Sequence, residues 1–295
     1  MQKLKVLDLF SGIGGFSLGL ERTGGYETKA FCEIDPFCRR VLAKHWPNVR
    51  QYEDVRTLTA DALARDGIAV DVICGGFPCQ DISFAGRGEG IEGERSGLWT
   101  EYARIIGELR PQFVIVENVA ALLSRGLDVV LGHLAALGFD AEWHCIPASA
   151  VGAPHRRDRV WIIAYPNGEG HGDYNRSGKN TGPEECGQGK RHQRERLWHV
   201  SRGGGEKVAH PQRSGQPRSR QSIIPGRSSP LIDRQTIDAF TGGIGELWST
   251  EPNVGRVANG VPDRAHRLSA LGNAVVPQIP EMIGHAILAS QGNAA

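Results

Sequence analysis

Short apolar segments alternate with amphipathic segments over the first 165 residues of the chain. Continuous apolar runs of about four to eight residues are typical of buried strands, whereas apolar positions recurring about every three or four residues predict helices. The strands are predicted at residues 5–10, 27–33, 70–74, 113–116 and 159–164, and the helices at 14–22, from Pro36 onward, at 98–109 and at 127–137. This alternation predicts an α/β fold whose strands pair in parallel, with helices on both faces of the sheet.

The turn after the first predicted strand is rich in glycine and has the sequence DLFSGIGGF, at residues 8–16. Glycines let the backbone approach a ligand closely at the start of a helix, although a tight structural turn explains them equally well. Glu33 ends the second predicted strand, where a carboxylate can bind two ribose hydroxyls. Asp54 follows a third short segment and can accept a hydrogen bond from an adenine amino group. Because ligands bind such sheets at the carboxyl ends of the strands, these positions predict a site for an adenosyl group.

A proline–cysteine turn follows the buried strand at residues 70–74, within the segment GGFPCQDIS. Pro78 stiffens this turn, and the many glycines between residues 86 and 97 favour a mobile lid after it. A single cysteine is usually a small buried apolar residue. Because Cys79 is presented by a turn at the ligand edge, below a glycine-rich segment, we interpret it as a nucleophile.

Three further segments carry candidate chemistry. Glu117, in the segment ENV, is an acid at the end of a predicted strand, and HRRDR at 155–159 directly precedes the last apolar strand. If that strand begins within HRRDR, alternation places Arg157 and Arg159 on one face. LGNAV at 271–275 leads into an apolar C-terminal helix. Each of the three segments also has a purely structural interpretation. The alternative for ENV is a helix cap, that for HRRDR is a surface salt-bridge cluster, and that for LGNAV is a loop before a docking helix.

The composition narrows the class of protein. Of the 295 residues, 40% are hydrophobic and 23% are charged, which is typical of a globular protein and excludes collagen-like, coiled-coil and wholly disordered chains. No apolar run reaches the ~20 residues of a membrane span, and the N-terminus lacks the apolar stretch of a signal peptide. We therefore expect a cytoplasmic protein without membrane contact. Six cysteines without C-x-x-C spacing predict neither a disulfide framework nor a zinc site.

Charge is distributed unevenly, although the formal net charge is only +1. Residues 166–230 contain twelve Lys and Arg against six Asp and Glu, and only nine of these 65 residues are apolar. This segment is either a disordered insert or a basic surface that binds a polyanion.

Taken in order, DLFSGIGGF, the strand end at Glu33, GGFPCQ, ENV, RRDR and LGNAV closely resemble the motifs of the DNA cytosine-5 methyltransferase family. The resemblance covers residues 4–165 and about 265–290. It implies a Rossmann-like fold that binds S-adenosylmethionine, with a mostly parallel sheet, helices on both faces and a small irregular target-recognition domain. The catalytic domain is then discontinuous, at 1–165 and 262–295, and the recognition domain occupies 166–261.

The resemblance also implies the reaction, which is methyl transfer from S-adenosylmethionine to C5 of a flipped-out cytosine in a specific sequence of duplex DNA. It makes Cys79 the nucleophile that adds to C6, Glu117 the partner of N3, Arg159 the donor to O2, and Arg157 a support that holds a phosphate or the loop. The products are 5-methylcytosine and S-adenosylhomocysteine, and no metal is involved. The implied cofactor contacts are Asp8, Phe10, Gly12, Gly14, Gly15, Glu33, Ile34, Asp54, Val55, Pro78, Asn273 and Val275. The expected DNA contacts are Gln80, Ser83, Arg95, Arg191, Arg194 and Arg196.

The chain departs from the family pattern at Ile34, where an aromatic residue is common, and at His155, where glutamine is usual. Three other functions are weighed against this one. An RNA cytosine-5 methyltransferase of the same fold would carry a Cys-Phe-Thr segment, which the sequence lacks. An inactive DNA-binding relative would not need Cys79, Glu117 and Arg159, and a nicotinamide-dependent oxidoreductase leaves the proline–cysteine turn unexplained. We expect a monomer; a separate cognate restriction endonuclease is left open.

Overall fold

The computed structural model describes residues 2–78, 97–167, 231–241 and 263–292, and within these ranges seven strands form one sheet. Every described residue belongs to one compact unit of the chain. The order of strands across the sheet is β3-β2-β1-β4-β5-β7-β6. The strands are β1 (Leu4–Leu9), β2 (Tyr26–Cys32), β3 (Arg50–Tyr52), β4 (Val72–Gly75), β5 (Phe113–Val119), β6 (Phe139–Pro147) and β7 (Asp158–Pro166).

Strands β1 to β5 pair in parallel, as predicted, but β7 runs antiparallel to both of its neighbours, β5 and β6. The expectation of parallel pairing is therefore wrong for β7, and β6 was not predicted at all. Strand β6 mixes acidic residues, such as Asp140 and Glu142, with its apolar positions, because it forms the edge of the sheet. Only ten residues separate β6 from β7. That connection is shorter than the crossover of a dozen or more residues that parallel neighbours need.

Helices cover both faces of the sheet, and the predicted helices at 14–22, from Pro36, at 98–109 and at 127–137 are confirmed within a residue or so at their ends. None of the described helices is long and apolar enough to cross a bilayer. The helices are α1 (Gly15–Arg22), α2 (Pro36–His45), α3 (Ala60–Arg65), α4 (Leu98–Leu109), α5 (Leu122–Arg125), α6 (Leu127–Ala136), α7 (Arg234–Thr241), α8 (Arg264–Asn273) and α9 (Gln278–Gly292).

The C-terminal helix α9 returns to pack beside α1 on one face of the sheet. Ile283 and Ile287 of α9 are fully buried in the same apolar cluster as Leu20 of α1. The two segments approach so closely that a Cβ at Gly19 would lie 2.1 Å from the backbone oxygen of Pro277. Glycine is therefore required at this contact, which holds the chain segment before α9 next to the start of α1.

Residues 231–241, which lie within the predicted recognition domain, pack into the same apolar core as α1 and α9. Ile232 is 1% exposed and belongs to the same apolar cluster as Met282 of α9. The backbone N–H of Leu231 donates to both carboxylate oxygens of Glu142 on β6, at 3.0 and 2.9 Å. Residues 231–241 thus contribute to the core of the unit that contains the sheet, and the recognition domain at 166–261 stays a prediction.

Asp8 is an acidic residue without exposed surface within β1. The hydroxyl of Ser17 on α1 donates to its Oδ2 at 2.7 Å, so the carboxyl lies beneath α1. Burial raises the pKa of Asp8 to about 8, and the carboxyl is mostly protonated at neutral pH. The side chain of Asp8 has no surface that a ligand can reach, whereas from the sequence we expected it to contact the cofactor.

Asp8 gives the protein a predictable pH dependence of stability. An unfolded Asp titrates near 3.8, whereas the folded-state pKa is about 8, so the unfolded chain loses its proton first. The contribution of Asp8 to stability is therefore present below about pH 4 and is lost as the pH rises to about 8. We expect the free energy of unfolding of the wild type, relative to Asp8→Asn, to fall over this range by up to ~1.4 kcal/mol per pH unit. Urea denaturation of both proteins at several pH values measures this difference, and parallel curves would contradict it.

Candidate active site

The carboxyl ends of β1, β2 and β5 meet at one edge of the sheet, where most of the predicted site residues lie. Cys79 and the expected DNA contacts Gln80, Ser83, Arg95, Arg191, Arg194 and Arg196 are outside the described residues. The structure does describe Pro78, which directly precedes Cys79 and is exposed at the end of the turn after β4.

The glycine-rich turn after β1 has an unusual backbone conformation. Phe10, Gly12 and Gly14 have φ values of 52°, 54° and 86°, in the left-handed region that glycine adopts readily and other residues do not. Strain of this kind at a non-glycine residue persists where the surrounding structure fixes it. The ring of Phe10 stacks on Tyr102 of α4, with 6.2 Å between ring centroids. A Cβ at Gly12 would meet no atom within 4 Å, so there is open space over the turn.

Glu33 follows β2 and is fixed by two backbone donors from either side. Its Oε2 accepts from the N–H of Gly12 at 2.7 Å, and its Oε1 accepts from the N–H of Asp35 at 2.8 Å. Each carboxylate oxygen keeps a further lone pair, so the side chain can still accept hydroxyl donors. The neighbouring Ile34, another expected cofactor contact, is 64% exposed.

Asp54 is already engaged by a basic residue that the sequence analysis did not consider. The guanidinium of Arg56 donates to both carboxylate oxygens, and the backbone N–H of Arg56 donates to Oδ1 at 2.9 Å. These contacts hold the pKa of Asp54 below its usual value. The side chain of Val55 is buried, and its carbonyl accepts from Arg104 of α4. A ligand at Asp54 would therefore share its carboxylate with Arg56.

An ion pair joins the end of β5 to the start of β7. Arg159 Nε lies 2.7 Å from Glu117 Oε1, and both side chains are largely buried. The register explains the contact, because Glu117 is directly opposite Trp161, and Arg159 lies two residues earlier on the same face of β7. Burial raises the pKa of Glu117 above its usual value, although the charges of Arg159 and Arg157 oppose the shift.

The turn that leads to Cys79 is held against this ion pair. A Cβ at Gly76 would lie 2.8 Å from Glu117 Oε2, so only glycine fits between the turn and the carboxylate without displacing it. The amide Nδ2 of Asn118, which is buried, donates to the carbonyl oxygen of Phe77 at 2.9 Å, and its Oδ1 accepts from the N–H of Val119 at 2.8 Å. Asn118 thereby fixes the backbone two residues before the predicted nucleophile.

Arg157 and Arg159 do not share a strand face, contrary to the expectation from alternation. Strand β7 begins at Asp158, and the backbone of Arg157 turns into the left-handed region with φ 41°. Its Nη1 donates to the carbonyl of Gly272 at 2.6 Å and its Nη2 to that of Ala274 at 2.8 Å. From the sequence, we expected Arg157 to hold a phosphate or the loop. In the structure it holds Gly272, near the end of α8, and Ala274, which directly follows α8.

The segment LGNAV is helical up to Asn273, the exposed last residue of α8, and extended after it. The backbone of Val275 then approaches the glycine turn, because a Cβ at Gly15 would lie 2.6 Å from its carbonyl oxygen. The turn is thus enclosed by Glu33 on one side and by Val275 on the other. Open space over Gly12 beside a fixed carboxylate fits a nucleoside with ribose hydroxyls. No cluster of metal-binding side chains occurs among the residues that the structure describes.

A family comparison identifies the origin of this arrangement. Residues 4–225, three quarters of the chain, match the family model for C-5 cytosine-specific DNA methylases. The chain belongs to this family. Its sheet is mostly parallel, in agreement with the fold class expected from the sequence motifs.

Individual relatives match somewhat more than half of the chain. The Type II methyltransferase M2.BsuMI of Bacillus subtilis (strain 168) is 37% identical over 169 residues, which are 55% of this chain and 42% of that protein. The Type II methyltransferase M.Sau3AI of Staphylococcus aureus is 36% identical over 184 residues, 56% of this chain and 44% of that protein. The chain thus spans about half the length of the curated relatives it matches. The crystal structure of a mutant DNMT2 of Spodoptera frugiperda is 22% identical, with TM-score 0.48, and covers 60% of this chain and 54% of that one.

Asn118 provides a test of how the methylase holds its proline–cysteine turn. Removing the amide in Asn118→Ala leaves the buried carbonyl of Phe77 without its donor, which typically costs about 1–3 kcal/mol. We expect that loss in the free energy of unfolding measured by urea denaturation. Ser124→Ala is the control, because it removes an exposed hydroxyl bond to Ala121 and should change stability by less than about 0.5 kcal/mol. Equal stability of the two variants would mean that Asn118 does not hold the turn.

Proposed function

We propose that this protein transfers a methyl group from S-adenosylmethionine to C5 of a cytosine in duplex DNA. The observation that carries the proposal is the buried Glu117–Arg159 pair, packed against the turn that leads to Pro78 in a chain of the cytosine-specific DNA methylase family. In this pair the Glu117 carboxyl can hold a proton, and the Arg159 guanidinium can donate to an oxygen. The described turn that leads toward Cys79 packs against the Glu117 carboxylate at Gly76.

The chemistry of cytosine explains why these groups are needed. C5 of cytosine is too weak a nucleophile to accept a methyl group directly. Addition of the Cys79 thiolate to C6 converts the ring to an enamine, in which C5 carries the electron pair. After C5 is methylated, loss of the C5 proton and elimination of Cys79 restore the aromatic ring. The covalent bond between sulfur and C6 therefore forms and breaks once in each turnover.

Glu117 and Arg159 would stabilise the ring while the thiolate is attached. Negative charge that develops at N3 would be neutralised by a proton from Glu117, whose pKa burial raises above its usual value. The guanidinium of Arg159 uses its Nε for Glu117 and its Nη1 for the carbonyl of Asp158, and its Nη2 would donate to the cytosine O2. The ion pair thus orients both groups toward one side of the base.

The methyl group is supplied by S-adenosylmethionine, for which the glycine turn and its surroundings provide a fitting site. Glu33 would accept the ribose hydroxyls, with its carboxylate already oriented by Gly12 and Asp35. Phe10 would pack on the adenine, and Asp54 would accept from the adenine amine while it retains Arg56. Gly14, Gly15, Asn273 and Val275 would enclose the methionine part.

We assign recognition of DNA to the basic segment at 168–230. This range is narrower than the recognition domain predicted at 166–261, because residues 231–241 pack into the core. Arg191, Arg194 and Arg196 would bind phosphates, which positions the duplex without specifying its sequence. Gln80, Ser83 and Arg95 would contact DNA from the segment after Cys79. The target base must leave the stack to reach Cys79. We further propose a cytoplasmic monomer that acts independently of any cognate endonuclease.

A covalent trapping experiment tests the nucleophile. DNA that carries 5-fluorocytosine at the target position cannot lose the C5 substituent as a proton, so the bond from Cys79 to C6 should persist and survive denaturation. We expect an adduct in gel electrophoresis with the wild type and none with Cys79→Ser. Cys145→Ser removes an exposed free thiol of β6 and should form the adduct normally. Adduct formation by Cys79→Ser at the wild-type rate would refute the proposed nucleophile.

Glu33 offers a separate test of the cofactor site. Loss of its hydrogen bonds to the ribose in Glu33→Ala should weaken binding of S-adenosylhomocysteine by on the order of 1–3 kcal/mol, about 5- to 150-fold. Isothermal titration calorimetry measures this change, and DNA binding should be affected much less. Glu27→Ala is a matched control. Glu27 is an exposed acid on β2, the strand that Glu33 follows, and its carboxylate pairs with Lys29. An unchanged affinity in folded Glu33→Ala would exclude Glu33 from the site.

A further inference from the structure

Arg157 connects two parts of the chain that are distant in sequence. Its guanidinium donates to the carbonyls of Gly272 and Ala274, more than a hundred residues away, at 2.6 and 2.8 Å. Two parallel donors from one planar guanidinium fix the direction as well as the distance of the segment they hold. The left-handed backbone at Arg157 directs the side chain toward this segment, whereas Arg159 two residues later pairs with Glu117.

The segment that Arg157 holds borders the glycine turn. Ala274 is followed by Val275, whose carbonyl oxygen lies so close to Gly15 that a Cβ there would be 2.6 Å away. Gly15 is the first residue of α1, and Gly14 before it has φ 86°. Any shift of residues 272–275 would therefore change the width of the space next to the turn. A continuous series of contacts leads from Arg157 through Ala274 and Val275 to the turn.

We infer that Arg157 is a positioning residue for the cofactor site, and that it acts by holding residues 272–275 against the turn at Gly15. The inference rests on the proposed function, since it concerns how the S-adenosylmethionine site is completed. It distinguishes two of the three arginines of the RRDR segment, because Arg159 would act on the base and Arg157 on the cofactor side. Both terminal nitrogens of Arg157 donate to carbonyl oxygens, so its guanidinium is oriented by residues 272–274.

The first experiment measures S-adenosylhomocysteine binding by calorimetry for Arg157→Met, Arg157→Lys and Arg156→Met. We expect Arg157→Met to weaken binding roughly 10-fold or more, since two charge-assisted hydrogen bonds that place the segment are lost. Arg157→Lys keeps the charge but lacks the planar fork, so it should also weaken binding. Arg156 is an exposed neighbour that pairs only loosely with Asp158, at 3.7 Å, and Arg156→Met should bind within about twofold of the wild type.

Binding of linear plasmid DNA separates this role from a phosphate contact. Arg157→Met and Arg156→Met remove the same charge, so both should lose the same small amount of DNA affinity. In methylation assays, Arg157→Met should raise the KM for S-adenosylmethionine more than it lowers kcat. If Arg157→Met keeps the wild-type affinity for S-adenosylhomocysteine, or loses more DNA affinity than Arg156→Met, the inference is wrong.

A double-mutant cycle tests the path of contacts and does not depend on one variant. Gly15→Ala pushes the Val275 carbonyl from the opposite side and should also weaken S-adenosylhomocysteine binding. If both changes act on residues 272–275, their effects in the double variant should be less than additive, whereas full additivity would contradict the path. Should Arg157→Met fail to fold, Arg157→Lys replaces it in the cycle. A wild-type protein that does not bind S-adenosylhomocysteine would refute the proposed function itself, whereas normal wild-type binding with unaffected variants refutes only the role of Arg157.

Discussion

The direction of β7 is the constraint on which the candidate site depends. Parallel strands deliver Glu33 and Glu117 to one edge of the sheet, and a parallel β7 would have placed its first residues at the opposite edge, about 20 Å away for a strand of this length. Because β7 runs antiparallel between β5 and β6, Arg159 lies opposite Val119, at the end of β5. The ion pair of Arg159 with Glu117 is thus a consequence of topology.

Two neighbouring arginines serve different sides of the site because of one backbone angle. The left-handed conformation at Arg157 sends its side chain to the segment before α9, whereas the regular strand geometry at Arg159 sends its side chain to Glu117. Their combined charge lowers the pKa of Glu117, but burial outweighs this effect, and the net shift is upward. The site therefore combines a fixed ion pair with a fixed segment beside the glycine turn.

Sequence patterns predict the parts of this protein that are set by local chemistry. The strand ends at Glu33 and Glu117 and the glycine turn at Gly14 follow from apolar periodicity and from the backbone freedom of glycine. Strand β6 and the direction of β7 do not, because an edge strand with polar residues gives a weak signal and periodicity contains no information about orientation. The buried position of Asp8 also escapes prediction, since it depends on α1 packing over β1 and not on the residue type.

Bisulfite sequencing of plasmid DNA from a host that produces this protein tests the central claim most directly, because cytosines methylated at C5 resist conversion. The account predicts that resistant cytosines occur at one recurring position within one short sequence, on plasmid from cells with the wild-type protein and not from cells with Cys79→Ala. Complete conversion of plasmid from cells that contain the folded wild-type protein would contradict it, as would resistant cytosines that persist with Cys79→Ala.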